Sequence, residues 1–150
     1  MTLKNTKENA TIELVSKRFA GEDSDEIKFT TGGGYYIRDG KFYITYQEHA
    51  DMGMGDCRIL LKVENETVTM RRTGEFQTVM VYKLGEITDF VYRVPFGTLN
   101  FKIKTLSIEN SLSDAGGVLS FCYELFASGE QTRNEITVAI KTEGMNDEKD

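Results

Sequence analysis

Tryptophan is absent from this 150-residue chain, and proline and histidine each occur once. The single histidine, His49, excludes a histidine-rich metal cluster and is the sole imidazole any Ser-His-Asp arrangement could use. Cysteine is nearly as scarce. Cys57 and Cys122 stand far apart without a Cys-x-x-Cys spacing, so two free thiols are expected rather than a disulfide or a zinc site. No apolar run approaches the roughly 18 residues of a membrane-spanning helix. The start, Met1-Thr-Leu-Lys-Asn-Thr-Lys-Glu8, has no apolar signal core. These absences predict a cytoplasmic protein without a membrane partner. A net charge of −6 argues against a general nucleic-acid binder. With 39% hydrophobic and 28% charged residues, the composition is that of one soluble domain with an ordinary core.

Helical periodicity is missing as well, and alternation takes its place. The stretch around which the rest is organised is Gly33 to Glu48. Asp39-Gly40 inside it is a dipeptide suited to a two-residue hairpin turn with positive φ. That turn sets Ile37 opposite Phe42 and Tyr35 opposite Ile44, with Tyr46 and Glu48 continuing the apolar face. Tyr36, Arg38, Lys41, Tyr43, Thr45 and Gln47 form the wet face.

Before it, Ala10 to Phe19 reads as a strand, Gly21 to Asp25 as a turn, and Glu26 to Thr31 as a second strand. Gly32-Gly-Gly34 then predicts a bulge or bend of the kind that turns barrel corners. A phosphate-cradling loop would need a helix after it, and a hairpin follows instead. After Glu48 comes an irregular loop, His49 to Asp56. A second hairpin about Asn65-Glu66 sets Val63 opposite Val68, Leu61 opposite Met70 and Ile59 opposite Arg72. Gln77 to Lys83 and Glu86 to Val94 read as a third pair about Leu84-Gly85. Its facing stays open between Val79, Val81 and Phe90 on one side and Met80, Tyr82 and Ile87 on the other. Leu99, Phe101 and Ile103 are out of phase with Leu106 and Ile108, which predicts a bulge near Lys104-Thr105. A last hairpin, with Ser128 to Gln131 as its turn, pairs Tyr123 with Ile136, Phe121 with Val138 and Leu119 with Ile140.

The sum is an all-β, antiparallel up-and-down barrel of about eight to ten strands, since closure removes sheet edges. It spans residues 10–142. A disordered N-terminal segment, 1–9, precedes it and an acidic tail, 143–150, follows.

Register places two charges on inward faces, Glu48 and Arg72. A lone buried charge is costly, so inward charges pair with each other or hold something charged. One reading is an internal anion site, with the Arg72 fork on a carboxylate or phosphate and Glu48 or Tyr46 orienting it. The other is a structural Glu–Arg bridge. The aromatic residues Tyr35, Phe42, Tyr46, Phe101, Phe121 and Tyr123 either pack a core or line a cavity for an apolar ligand.

Asp51 and Asp56 beside His49 match no defined metal loop, and a solvated turn is expected there. Cys122 alternates outward from Phe121 and Tyr123, without a neighbour that marks it as reactive. Arg58, Lys62 and Arg71, with Lys102 and Lys104, form an outer basic face without interleaved aromatics, which disfavours nucleic-acid binding. No catalytic residue, metal ligand or cofactor is assigned.

Several segments together resemble a known family. They are Tyr35-Tyr-Ile-Arg-Asp-Gly-Lys-Phe-Tyr-Ile-Thr-Tyr-Gln-Glu48, Val68-Thr-Met-Arg-Arg-Thr-Gly74, Met80-Val-Tyr82, Tyr92-Arg-Val-Pro-Phe-Gly97 and Gly116-Gly-Val-Leu-Ser-Phe-Cys-Tyr-Glu-Leu125. In order and spacing they resemble the YwiB-like bacterial proteins over roughly residues 10–142. The resemblance implies a calycin-like (lipocalin-like) barrel and no particular activity. The chain departs from the pattern after the first hairpin. There the family usually reads Thr-Gly-Leu-x-Gly-Thr, and this chain reads Asp51-Met-Gly-Met-Gly-Asp56.

The expected function is a small apolar or amphipathic, anionic-headed ligand held in the barrel interior by Glu48, Arg72, Tyr46, Tyr35, Phe121 and Tyr123. The alternative is a solid barrel that serves a protein partner through its outer face.

Overall fold

The computed structural model describes residues 8–49 and 56–142. The expectations for most of the N-terminal segment, for the acidic tail and for Asp51 lie outside those residues. Ten strands follow one another: β1 Ala10–Ala20, β2 Asp23–Arg38, β3 Lys41–Glu48, β4 Cys57–Glu64 and β5 Thr67–Gly74, then β6 Thr78–Lys83, β7 Ile87–Val94, β8 Gly97–Asn110, β9 Gly116–Ala127 and β10 Glu130–Thr142. They form one antiparallel sheet ordered β6-β5-β4-β3-β2-β1-β10-β9-β8-β7.

The first hairpins hold the register read from sequence. Asp39 and Gly40 have φ of 53° and 79°, the two positive values a type I′ turn requires. Ile37 then faces Phe42, Tyr35 faces Ile44, and Tyr36 stacks on Tyr43 at 5.5 Å on the outer face. Asn65 takes φ 55° in the next turn, and Ile59 faces Arg72 as expected.

The turn before β2 is shorter than the five residues expected. Gly21-Glu22 suffices, because Gly21 with φ 62° fits the first central position of a type II′ turn. Ser24 and Asp25 therefore join the ladder opposite Phe19 and Arg18. Asn9, expected to fray, instead clamps the β2 backbone. Its amide donates to the Tyr35 carbonyl at 2.9 Å and accepts from the Tyr35 N–H at 2.8 Å.

Gly32–Gly34 lies inside a continuous strand, with no register shift at that point. Gly33 is where β2 passes from one partner to the next: it pairs with Ala10 of β1 and with Tyr46 of β3. A side chain there would strike the Thr45 carbonyl oxygen and the Ile12 side chain, so the glycine permits a close approach.

Two pairings differ from the sequence reading. β6 and β7 are not a hairpin but the two edges of the sheet. The chain between them is drawn to β8 instead, with the Gly85 N–H on the Thr105 carbonyl at 2.9 Å and the Thr105 N–H on the Glu86 carbonyl at 3.2 Å. The edges still meet and almost close the barrel. Gln77 and Arg93 exchange two backbone bonds of 2.9 and 2.8 Å. Thr78 Oγ1 donates to the Val91 carbonyl, and Thr88 Oγ1 to the Val81 carbonyl, each at 2.7 Å. Two threonine hydroxyls thus stand in for ladder bonds along the seam. Met80, Tyr82 and Phe90 are buried while Val79, Val91 and Ile87 are exposed, which resolves the facing. Replacing Thr78 by Val, nearly isosteric, should cost about 1 kcal/mol in urea denaturation. A cost near zero would mean that the hydroxyl does not seal the seam.

The last hairpin is slipped. Ser128-Gly129, with φ of 52° and 81°, makes a two-residue turn, so Phe121 faces Ile136, Leu119 faces Val138 and Tyr123 faces Asn134. The slip is two residues, an even number, so the inward face is unchanged. The bulge of β8 lies between Thr105 and Ser107, one step beyond the expected place.

Inside, the barrel divides. The end holding the Asp39-Gly40 and Asn65-Glu66 turns is filled by buried residues such as Tyr35, Val63, Val68, Leu119 and Val138. Tyr82 closes the middle, its ring 4.8 Å from those of both Phe121 and Tyr123. Glu48 and Arg72 stand beyond it, toward the other end.

Candidate functional site

Glu48 is the last residue of β3 and Arg72 lies on β5, with β4 between them. Alternation along each strand turns both inward. Glu48 is 4% exposed and the Arg72 side chain 18%. They meet: Arg72 Nη2 donates to Glu48 Oε2 at 3.1 Å. The far side of the fork is also held, by Arg72 Nη1 donating to the Tyr92 hydroxyl at 2.7 Å. The guanidinium lies 5.9 Å from the Tyr92 ring centroid. Its Nε is buried and has no hydrogen-bond partner among the described residues.

That orphan nitrogen matters chemically. A guanidinium binds a carboxylate best through two parallel N–H donors. Glu48 takes Nη2 alone and leaves its neighbour Nε free, so the bidentate edge is half used.

Arg72 borders a cavity of about 240 Å³. Met70, Met80, Tyr82, Phe90 and Phe101 supply apolar walls, while Tyr46, Tyr92 and Tyr123 supply rings with hydroxyl tips. Among the described residues lining it, Glu48 and Arg72 are the charged ones. Burial pushes the Glu48 carboxyl above its ordinary value of 4.5, and the Arg72 charge and hydrogen bond pull it back only in part. Burial opposes the Arg72 charge, but Glu48 and Tyr92 outweigh it and hold the guanidinium protonated. Burial, reinforced by the Glu48 charge, raises Tyr46. Burial likewise raises Tyr82 and Tyr123, so all three stay neutral hydroxyls at ordinary pH. The cavity therefore presents one fixed cation, one carboxyl able to exchange a proton, and several neutral donors.

Four of the six residues read from sequence line this cavity: Glu48, Arg72, Tyr46 and Tyr123. The other two do not. The Tyr35 hydroxyl donates to the Ser113 carbonyl at 2.6 Å, in the filled half, and burial beside Asp114 pushes it up to about 12. Phe121 packs behind Tyr82 and Tyr123. Sequence reasoning missed Tyr92, the second ligand of the arginine. Its alternation with Phe90 could have placed it inward had the facing of β7 been fixed.

Elsewhere, His49 Nδ1 lies 3.9 Å from Asp56 Oδ1. Both cysteines are free, Cys57 buried and Cys122 half-buried. On the outer basic face, Lys62 reaches Glu64 at 3.9 Å and Lys102 reaches Asp89 at 2.7 Å.

The family profile described as a domain of unknown function, DUF1934, matches residues 12–140. The chain is similar to the uncharacterized beta-barrel protein YwiB of Bacillus subtilis (strain 168), with 30% identity over 127 residues, 83% of this chain and 88% of that protein. The crystal structure of the ywiB protein from Bacillus subtilis superposes with a TM-score of 0.82 at 24% identity, covering 95% of this chain and 99% of that one. The chain thus belongs to the DUF1934 family, and it is a YwiB-like β-barrel of unknown function.

Proposed function

We propose that this barrel is a non-catalytic binding protein of calycin-like type, which holds a small apolar or amphipathic molecule by an anionic head. The observation that carries the proposal is Arg72, an inward cation whose Nε faces no partner beside an apolar, aromatic-walled cavity. A purely structural ion pair would be expected to satisfy the whole fork, because leaving a buried donor unpaired costs stability. Tyr46 and Tyr123, as neutral hydroxyls on the same wall, can add hydrogen bonds to the head. The methionines and phenylalanines receive the tail.

The volume limits the occupant. About 240 Å³ falls below the roughly 300 Å³ at which ordinary small-molecule pockets begin, so a short chain or a single ring fits the space and a long lipid does not. Octanoate is a suitable probe. Calorimetric titration should show one molecule bound per chain, and Arg72→Gln should weaken it by about tenfold or more, the scale of one charge-assisted hydrogen bond. Equal affinity for the two proteins would remove Arg72 from the site.

The small volume also favours a second reading, a solid barrel acting through its surface. Val79 and Val91 are exposed apolar residues on the two sides of the seam, with Ile87 further along β7 beyond Asp89, and a protein partner could cover them. Absence of octanoate binding together with a dimeric mass in solution would favour that reading.

A further inference from the structure

The charge balance of the cavity constrains which anions it can take. Glu48 and Arg72 sum to zero, and a second carboxylate at Arg72 Nε would leave one net negative charge in a space only partly open to water. Two carboxylates sharing one site do not both stay ionised; one keeps a proton. Other groups around Glu48 do not relieve this. Tyr46 on its own strand is a neutral hydroxyl, as are Tyr82 on β6 and Tyr123 on β9, and the Tyr92 hydroxyl on β7 accepts from Arg72. On β4 the residue in register with Glu48 is Cys57, and on β5 the cation that meets it is Arg72, while the neighbouring Arg71 is exposed on the outer face.

We infer that Glu48 makes the cavity selective for weak carboxylic acids, which enter with a proton, over anions that are always ionised. The inference rests on the anion-anchor reading above. A neutral acid, RCOOH, can enter and share its proton with Glu48. Equally, RCOO⁻ can enter while Glu48 Oε takes a proton from solvent. Either way one proton accompanies each ligand, and the cavity stays neutral. Nothing is oxidised or reduced and no covalent bond to the ligand forms. The carboxyl oxygen then lies on the half-used Nη2–Nε edge, with the shared proton between it and Glu48. A sulfonate likewise needs Glu48 protonated, but its weakly basic oxygens share that proton poorly, whereas a carboxylate holds it jointly with Glu48.

Octanoate and octanesulfonate titrated calorimetrically into the full chain at about pH 8 provide the test, with each titration run in two buffers of different ionisation enthalpy. For the wild type, the apparent enthalpy with octanoate should differ between buffers by the amount for one proton taken up. Octanoate should also bind about tenfold more tightly than octanesulfonate. In Glu48→Gln the buffer dependence should vanish and the two affinities converge, because the neutral amide leaves Arg72 free to balance either anion. The wild-type buffer comparison stands alone should the variant fail to fold. Octanoate binding without proton uptake would overturn this inference and leave the anion anchor standing. No octanoate binding by the wild type would overturn the anchor, and the inference with it.

Discussion

Arg72→Leu is expected to cost about 3 kcal/mol of stability at about pH 8, and clearly less near pH 5. The substitution keeps bulk in the barrel but leaves the Glu48 carboxyl buried without its cation. Removing one partner of a buried pair costs roughly 3–5 kcal/mol. The lower figure applies because the Arg72 side chain is 18% exposed and water screens part of the pair. The pH dependence follows from the direction of the shift. Burial already raises the folded-state value of Glu48 above 4.5, so the folded protein binds its proton more tightly than the unfolded chain does. The contribution of Glu48 to stability is therefore full below its unfolded value and is lost as pH rises through the raised one. Without Arg72 the raised value climbs further, and the loss at high pH grows. Urea denaturation at several pH values measures this. The double variant Glu48→Leu/Arg72→Leu should regain most of the lost stability, since an apolar pair of similar size often substitutes well for a buried ion pair. A pH-independent cost in Arg72→Leu, with no recovery in the double variant, would mean that Glu48 reaches water.

Gly33→Ala is the second large effect, about 3 kcal/mol or a loss of folding altogether. The added methyl would meet the Thr45 carbonyl and the Ile12 side chain from two sides. Main chain cannot swing away as a surface side chain can, and overpacking of this kind costs 1–3 kcal/mol and at times more. For a domain of this size the melting temperature should fall by roughly 6–12 °C. Gly32→Ala is the natural control, because its new methyl meets the end of the Glu8 side chain at 3.3 Å and main chain no nearer than the Ala10 carbonyl oxygen at 4.0 Å. It should melt near the wild type. Equal behaviour of the two variants would show that β2 does not depend on close approach where it changes partners.

Much of this architecture was legible in the residues. Turn dipeptides with a conformational requirement, such as Asp39-Gly40, fixed the register of the first hairpin, and with it the inward placement of Glu48. Asn65 did the same for Arg72. The two placements are independent, and their meeting at 3.1 Å follows from both. Register was lost where the local signal was ambiguous. Ser128-Gly129 followed by Glu130-Gln131 can be read as a turn of two or of four residues, and the choice slips every pair by two. The seam was beyond local reading for another reason. Whether β7 folds back on β6 or crosses to β8 depends on backbone bonds from Gly85 and Glu86 to Thr105, some twenty residues away. That same failure hid Tyr92, the residue that holds the far end of the arginine fork. Tyr35 and Phe121 face inward without lining the cavity, and alternation along a strand reads only inwardness. Half of the barrel is packed solid, and the two residues lie there or at its boundary.

Nitrogen and methyl NMR during an octanoate titration test most directly whether an acid head seats on Arg72 inside the cavity. Octanoate should shift the Arg72 Nε–H resonance together with the methyl signals of Met70 and Met80, which share the cavity wall. All three should follow one binding curve. Saturation with the Arg72 Nε–H and both methionine methyls unmoved, and shifts confined to the outer groove between β7 and the β9–β10 turn, would contradict that seating.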